Sequence, residues 1–285
     1  MRISIIGSGV VGYAIGKGLL LLGNEVIFSD INIKKVLKLR KEGLKAYLNG
    51  EHVRETGISF ICVPTPTVGK EQDLTYVKSA VKSLSECLKE KKEYHLIVIK
   101  STVLPKTTEK VLLPIIEKYS KKKVGKEIGL CMNPEFMREK HALEEFLNPD
   151  RIVIGEFDKK SGDLLQKLYR SFKCPIVRTD LRTAEMIKYA SNVFYATRIS
   201  FFNEIHSICK NLSIDSNQVR EAVLLDRNFG RHPWKHGHSF GGTCLPKDLR
   251  AFITLCNDGH VHDPKLLKCV QRINEEFKND EKRGR

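Results

Sequence analysis

Arg2-Ile3-Ser4-Ile5-Ile6-Gly7-Ser8-Gly9-Val10-Val11-Gly12 decides the fold. Its first five residues are a short apolar run, suited to a strand buried on both faces of a parallel sheet. Three glycines follow at G-x-G-x-x-G spacing, and a helical pattern runs from Ala14 to Leu22. Gly7 permits a tight turn, Gly9 lets a pyrophosphate approach the backbone, and Gly12 lets helix and strand pack closely. Val10 and Val11 lie at the helix start, whose N–H groups and positive dipole end receive phosphate. A second strand, Glu25 to Ser29, ends at Asp30, eighteen residues after Gly12. A carboxylate there accepts from a ribose 2′-hydroxyl and repels a 2′-phosphate, so the reading is NAD rather than NADP.

The same alternation continues outward. Residues 33–43 read as a helix. Ile58 to Val63 reads as a third strand, closing on Pro64-Thr65-Pro66. Such a rigid turn belongs at the carboxyl end of a strand, where α/β sheets bind ligands. Asp73 is a cap for a helix starting near Leu74. Leu96 to Ile99 is a strand followed by Lys100-Ser101-Thr102-Val103-Leu104-Pro105, and Pro105 with Thr107-Thr108 opens a helix. Thr102 is either a turn hydroxyl or a donor to substrate. Ile128 to Met132 is a strand leading to Asn133-Pro134-Glu135-Phe136-Met137-Arg138-Glu139. Glu135, just past a strand end, is either a working carboxylate or a surface acid. Arg151 to Ile154 and Pro175 to Val177 are strands around a helix from Ser161 to Phe172. This pattern predicts an α/β fold: a Rossmann-type, doubly wound, mostly parallel sheet over residues 1–180.

From Leu181 the pattern changes, with no proline or glycine until Gly230. A helical domain over 181–285 is expected, with a long spine helix from Leu181 to about Asn211 and further helices at 215–223, 246–257 and 263–278. Lys188 and Asn192 are four apart and share a face, a spacing equally found in exposed polar pairs. The strongest chemical signal is Phe240-Gly241-Gly242-Thr243-Cys244-Leu245-Pro246-Lys247-Asp248. The glycines let backbone approach a ligand. Pro246 suits a first helical turn, so Cys244 belongs at or just before a helix start. A helix N-terminus and a nearby Lys247 favour a thiolate, and Asp248 is placed to hold water or a lysine. Cys244 therefore reads as a catalytic nucleophile.

Composition narrows the classes. The chain has 285 residues, a net charge of +15 and eight scattered cysteines without a C-x-x-C pair. Reduced thiols in the cytoplasm are expected, with no metal site. The apolar stretch 3–22 is interrupted by Lys17 and glycines and reads as nucleotide-binding rather than as a leader; no stretch is expected to span a membrane. Basic charge suits small polyanions such as nucleotide sugars, and no nucleic-acid motif accompanies it.

Taken together, seven stretches resemble the UDP-glucose 6-dehydrogenase and GDP-mannose dehydrogenase family. They are Gly7-x-Gly9-x-x-Gly12, Val63-Pro64-Thr65-Pro66, Lys100-Ser101-Thr102-Val103, Asn133-Pro134-Glu135-Phe136, Leu147-Asn148-Pro149-Asp150-Arg151-Ile152-Val153, Ala184-Glu185-Met186-Ile187-Lys188-Tyr189-Ala190-x-Asn192 and Phe240 to Asp248. The resemblance implies oxidation of a sugar C6 alcohol to the carboxylate with two NAD, UDP-glucose being the first expectation. Cys244 would attack the C6 aldehyde, giving a thiohemiacetal and then a thioester that water hydrolyses. Lys188 and Asn192 would stabilise the oxyanion, and Asp248 would position water or tune Lys188. Glu135 and Thr102 would handle the proton or orient water. Val63, Pro64, Thr65, Ser101, Thr102 and Glu139 would contact NAD. Phe136, Met137, Phe240 and Gly241 would line the substrate site, and Arg227 would reach the neighbouring subunit's substrate.

The family continues into a third domain, and this chain reads as a short form without it, ending at Arg285. A homodimer is expected. Met186, Ile187, Ala190, Phe194, Ile199, Phe201, Phe202 and Ile205 put apolar surface on more than one side of the spine helix. Two other functions compete: a β-hydroxyacid dehydrogenase, which shares the Lys-x-x-x-Asn pair without needing Cys244, and a truncated nucleotide-binding protein without turnover.

Overall fold

A computed structural model describes residues 1–48, 50–69, 71–226, 238–242, 244–258 and 263–283. The chain begins with β1 (Arg2–Ile6), α1 (Val10–Leu21), β2 (Glu25–Asp30), α2 (Ile33–Lys41) and β3 (Ala46–Leu48). Next come β4 (Ile58–Ile61), the two-residue strands β5 (Thr67–Val68) and β6 (Glu71–Gln72), α3 (Thr75–Leu88) and β7 (His95–Ile99). A π-helical turn, Thr108–Leu112, runs into α4 (Leu113–Ser120). Then follow β8 (Ile128–Met132), α5 (Ala142–Leu147), β9 (Ile152–Glu156), α6 (Lys159–Leu168) and β10 (Ile176–Asp180). The last helices are α7 (Leu181–Asn211), α8 (Ser216–Leu224), α9 (Leu245–Asp258) and α10 (Lys265–Lys282).

Eight strands form one sheet in the order β10-β9-β8-β7-β4-β1-β2-β3. Only the β8–β9 pair is antiparallel, so the expected α/β, mostly parallel sheet is what the chain forms. Strand order reverses beside β1, which puts a ligand crevice at the carboxyl ends of β1 and β4. The central strands are mostly apolar because helices cover both sheet faces, and the buried Ser4 of β1 and Ser59 of β4 satisfy each other at 2.6 Å. In β7, Leu96 and Val98 join a core with Ile15 and Leu19 of α1 and Leu165 of α6. Ile97 and Ile99 join a second core with Val77 and Val81 of α3 and Ile116 of α4.

Four features differ from the sequence reading. β3, the β5–β6 pair and α5 were not expected; each is too short to show a period. The helix expected from Thr107-Thr108 begins as a π turn. Pro114 lacks an N–H, and the Leu113 N–H reaches back to Thr108 O.

The chain divides into two compact units. The first holds Met1–Pro66 and Gln72–Lys188; the second holds Thr67–Glu71 and Tyr189–Arg285. In the second, Val193, Ala196 and Ile199 of α7 pack with Phe240, Leu249 and Ile253 of α9 and its approach, and with Val270 of α10. The opposite character appears at Phe194, Phe201, Ile208 and Leu212, which are 60%, 52%, 49% and 63% exposed.

Candidate active site

In the first unit, the glycine loop has the geometry of a phosphate cradle. Gly7 has φ of 90°, a conformation glycine alone adopts readily. A Cβ on Gly12 would stand 1.9 Å from Gly7 O, whereas one on Gly9 would meet no atom within 4 Å. Backbone therefore closes tightly under Gly12 and lies open above Gly9. Gly9 caps α1 without a side-chain bond, and the first turn carries no acid. Its N–H groups and dipole are thus left for an anion. Asp30 ends β2, where its Oδ2 accepts from Ser8 N and Ser8 Oγ, both at 2.7 Å, and its Oδ1 accepts from Asn32 N at 2.9 Å. Burial opposes the Asp30 charge, but these bonds and Lys35 outweigh it and hold the carboxyl below its usual range. Val10 is exposed and Val11 half-buried at the same helix start.

At the carboxyl ends of β4, β7 and β8, polar side chains lock three loops together. Ser101 Oγ donates to Val63 O at 2.6 Å. The Thr102 carbonyl accepts from Thr65 Oγ1 at 2.6 Å and from Gln72 Nε2 at 2.8 Å. Pro64 is exposed between them. Asn133 is a hub. Its side chain accepts from Lys100 Nζ at 2.8 Å and Tyr169 Oη at 2.7 Å, and donates to Val153 O at 2.6 Å. The turn it fixes presents Glu135, which is buried and so is not the surface acid of the alternative reading. Glu135 Oε1 accepts from Lys188 Nζ at 3.0 Å, and Oε2 accepts from Met137 N at 2.7 Å. Burial works against the Glu135 charge; Lys188, the Met137 N–H and Lys100 overcome it and hold the carboxyl below its usual range. Burial likewise pulls Lys100 down to about 8. Phe136 is half-buried, with the Arg151 guanidinium 4.0 Å and the Lys188 amine 5.5 Å from its ring centre. Glu139 is exposed in a single 3-10 turn.

In the second unit, Cys244 immediately precedes α9, as Pro246 indicates, and is exposed. Its carbonyl accepts the Asp248 N–H at 2.8 Å. Asp248 is buried, with Oδ2 accepting from Asn192 Nδ2 at 2.6 Å and Oδ1 paired with the Lys247 amine. Phe240 is held by Asn274, which accepts its N–H at 2.6 Å and donates to its carbonyl at 3.1 Å. Gly241 is exposed, and Gly242 has φ of 78°. Arg227 lies outside the described residues.

Lys35, Gln72 and Tyr169 were not singled out in the sequence, and Lys100 and Asn133 stood in quoted stretches without a role of their own. Lys100 and Asn133 at least follow strand ends, a positional signal; Gln72 and Tyr169 carry none. Among the described residues, no group of three His, Cys, Asp or Glu side chains is gathered as for a metal, and no helix is long and apolar enough to cross a membrane.

Comparison with known proteins shows the family. Residues 42–173 match the NAD binding domain of the UDP-glucose/GDP-mannose dehydrogenase family, and residues 182–276 match its central domain. GDP-mannose 6-dehydrogenase of Pseudomonas syringae pv. syringae is 39% identical over 96% of this chain and 68% of its own length. UDP-glucose 6-dehydrogenase of Haloferax volcanii is 36% identical over 96% of this chain and 70% of its own length. The structure of a UDP-glucose dehydrogenase from Pyrobaculum islandicum superposes with a TM-score of 0.91 at 36% identity, over 96% of this chain and 68% of that one. The chain belongs to the UDP-glucose/GDP-mannose dehydrogenase family. Its cofactor is NAD, and the open backbone at Gly9, the uncapped start of α1 and the Asp30 carboxylate fit that dinucleotide.

Asp30 supplies a direct test of cofactor choice. Asp30→Ala is expected to weaken NAD by about tenfold or more, through one lost charge-assisted bond. Calorimetric titration of both cofactors checks this; equal affinity of the parent for NAD and NADP would contradict the assignment.

Proposed function

We propose that the chain oxidises the C6 alcohol of a nucleotide sugar, UDP-glucose or GDP-mannose, to the uronate, using two NAD per turnover. The observation that carries this reading is Cys244 at the start of α9, one turn before a buried Asp248 bonded to Asn192. A hydroxyacid dehydrogenase needs no thiol there. NAD, when bound, accepts hydride in each of the two oxidations.

The chain's own groups take the remaining roles. The Cys244 sulfur, at the start of α9, adds to the C6 aldehyde and forms a C–S bond as its proton is released. The carbonyl oxygen gains negative charge, which Lys188 and Asn192, one helical turn apart in α7, stabilise as donors. Loss of a second hydride from that carbon leaves a thioester. Water adds to it, the C–S bond breaks, and the carboxylate leaves with the thiol restored. Glu135, kept ionised, and Thr102 accept or relay the protons released. Asp248 orients Asn192 through their bond. The relatives divide between GDP-mannose and UDP-glucose, so the assay uses both sugars, with UDP-N-acetylhexosamines and β-hydroxyacids as controls. NADH formation and the product's mass are followed. Oxidation of hydroxyacids alone would move the chain to the competing class.

The exposed apolar residues of α7 support a homodimer. Exposed aromatic surface at Phe194 and Phe201 is costly in water, and a second copy of the helix covers it. Sedimentation at micromolar concentration is expected to give a dimer; Phe201→Glu should shift it to monomer. A monomeric parent with full activity would refute the pairing.

A further inference from the structure

The connection from β7 to α4 carries Thr102, and a carboxylate from another element fixes its far end. Glu185, near the start of α7, is fully buried. Its Oε2 accepts the Lys106 N–H at 2.6 Å, and its Oε1 accepts the Thr108 N–H at 2.7 Å. These donors stand at the start of a helical run, where no carbonyl of the same helix can receive them. Lys106 has φ of 77°, a left-handed conformation that a lysine keeps only when held. Nearer the strand, Gln72 bridges the loop, donating to Thr102 O and accepting the Leu104 N–H at 3.2 Å. Three residues past Glu185, Lys188 pairs with Glu135. The opening turns of α7 therefore hold both the Thr102 loop and the Glu135 carboxylate.

We propose that Glu185 is a positioning residue that anchors the Thr102 loop to α7, in register with the Lys188–Glu135 pair. The importance of Thr102 rests on the reaction proposed above; the anchor itself does not. Burial pushes Glu185 up to about 7, against the pull of the Thr108 and Lys106 hydrogen bonds, and Glu109 on the π turn adds to the rise. Glu109 is itself paired with Arg182, three residues before Glu185 in α7. A raised value means that the closed anchor binds a proton more tightly than an opened one. Closure is therefore most favoured below the ordinary carboxylate range, and that advantage is lost as pH rises to about 7.

The test is amide hydrogen exchange on the whole chain, corrected for the intrinsic pH effect. In the parent, protection at Lys106 and Thr108 is expected to fall by about tenfold or more between about pH 5 and about pH 7.5, while Val98 in the sheet stays flat. Glu185→Gln cannot titrate there and should flatten the profile. Glu185→Ala should lose about tenfold or more of the protection at both amides. Parent-like protection at both amides in Glu185→Ala overturns the anchor, and where that variant fails to fold, parent-like protection and pH profile in Glu185→Gln, which keeps only one acceptor oxygen, overturn it. In turnover, Glu185→Ala should lower kcat about tenfold with the KM for NAD within about twofold, and Glu185→Gln should recover part of the loss. Loosened amides with an unchanged kcat overturn the positioning of Thr102. A parent without nucleotide-sugar oxidation overturns the reaction and Thr102's part in it, and exchange still decides the anchor.

Discussion

Cys244→Ala is expected to lower nucleotide-sugar oxidation by about a thousandfold or more, with NAD affinity unchanged. The loss is large because the thiol makes the covalent bond on which the second oxidation depends. Without it, the aldehyde has no protein-bound route to the ester. Cys244 is exposed and precedes α9, so alanine leaves no cavity. Stability should therefore move by no more than about 0.5 kcal/mol. The groups that suit NAD lie in the first unit, at Gly7, Gly9, Gly12 and Asp30, and keep their bonds. Cys244→Ser should stall at the aldehyde or the ester, which mass spectrometry of protein and product distinguishes. Full four-electron oxidation by Cys244→Ala would remove the nucleophile from the account and favour the hydroxyacid class.

Gly12→Ala is expected to cost about 2–4 kcal/mol of stability and about a hundredfold in NAD affinity. The added Cβ would lie 1.9 Å from Gly7 O, 3.1 Å from Gly7 C and 3.1 Å from Cys62 Cβ. Two of those neighbours are backbone and cannot rotate away. The start of α1 must then move off β1 and β4, and the phosphate loop moves with it. Gly9→Ala is the control. It meets nothing within 4 Å, so the protein should melt normally and still bind NAD poorly, because the Cβ fills the pyrophosphate's approach. Thermal melts with NAD titration measure both variants. Parent-like melting and binding by Gly12→Ala would contradict the close packing.

These contrasts explain what was legible in the sequence. The glycine loop could be read because its requirements are local: a positive φ at Gly7 and no Cβ at Gly12 leave glycine as the natural residue. The helix Leu181–Asn211 could be read because 31 residues without proline or glycine leave few other options. Pro246 likewise marked the start of α9 beside Cys244. The short strands β3, β5 and β6 have two or three residues each, too few for a period to show. Other features depend on residues distant in the chain. Tyr169 meets Asn133 across 36 residues, and Glu185 meets Thr108 across 77. No local pattern announces such bonds. Glu135 shows both sides: its place after a strand was visible, but its burial against Lys188, 53 residues away, was not.

The most direct measurement is the stoichiometry of oxidation by the purified chain. Limiting UDP-glucose or GDP-mannose is converted with excess NAD, and NADH is counted against the mass of the sugar product. The account predicts two NADH for each uronate, with oxidation lost in Cys244→Ala. One NADH for each aldehyde or ketone, formed equally well by Cys244→Ala, would contradict it.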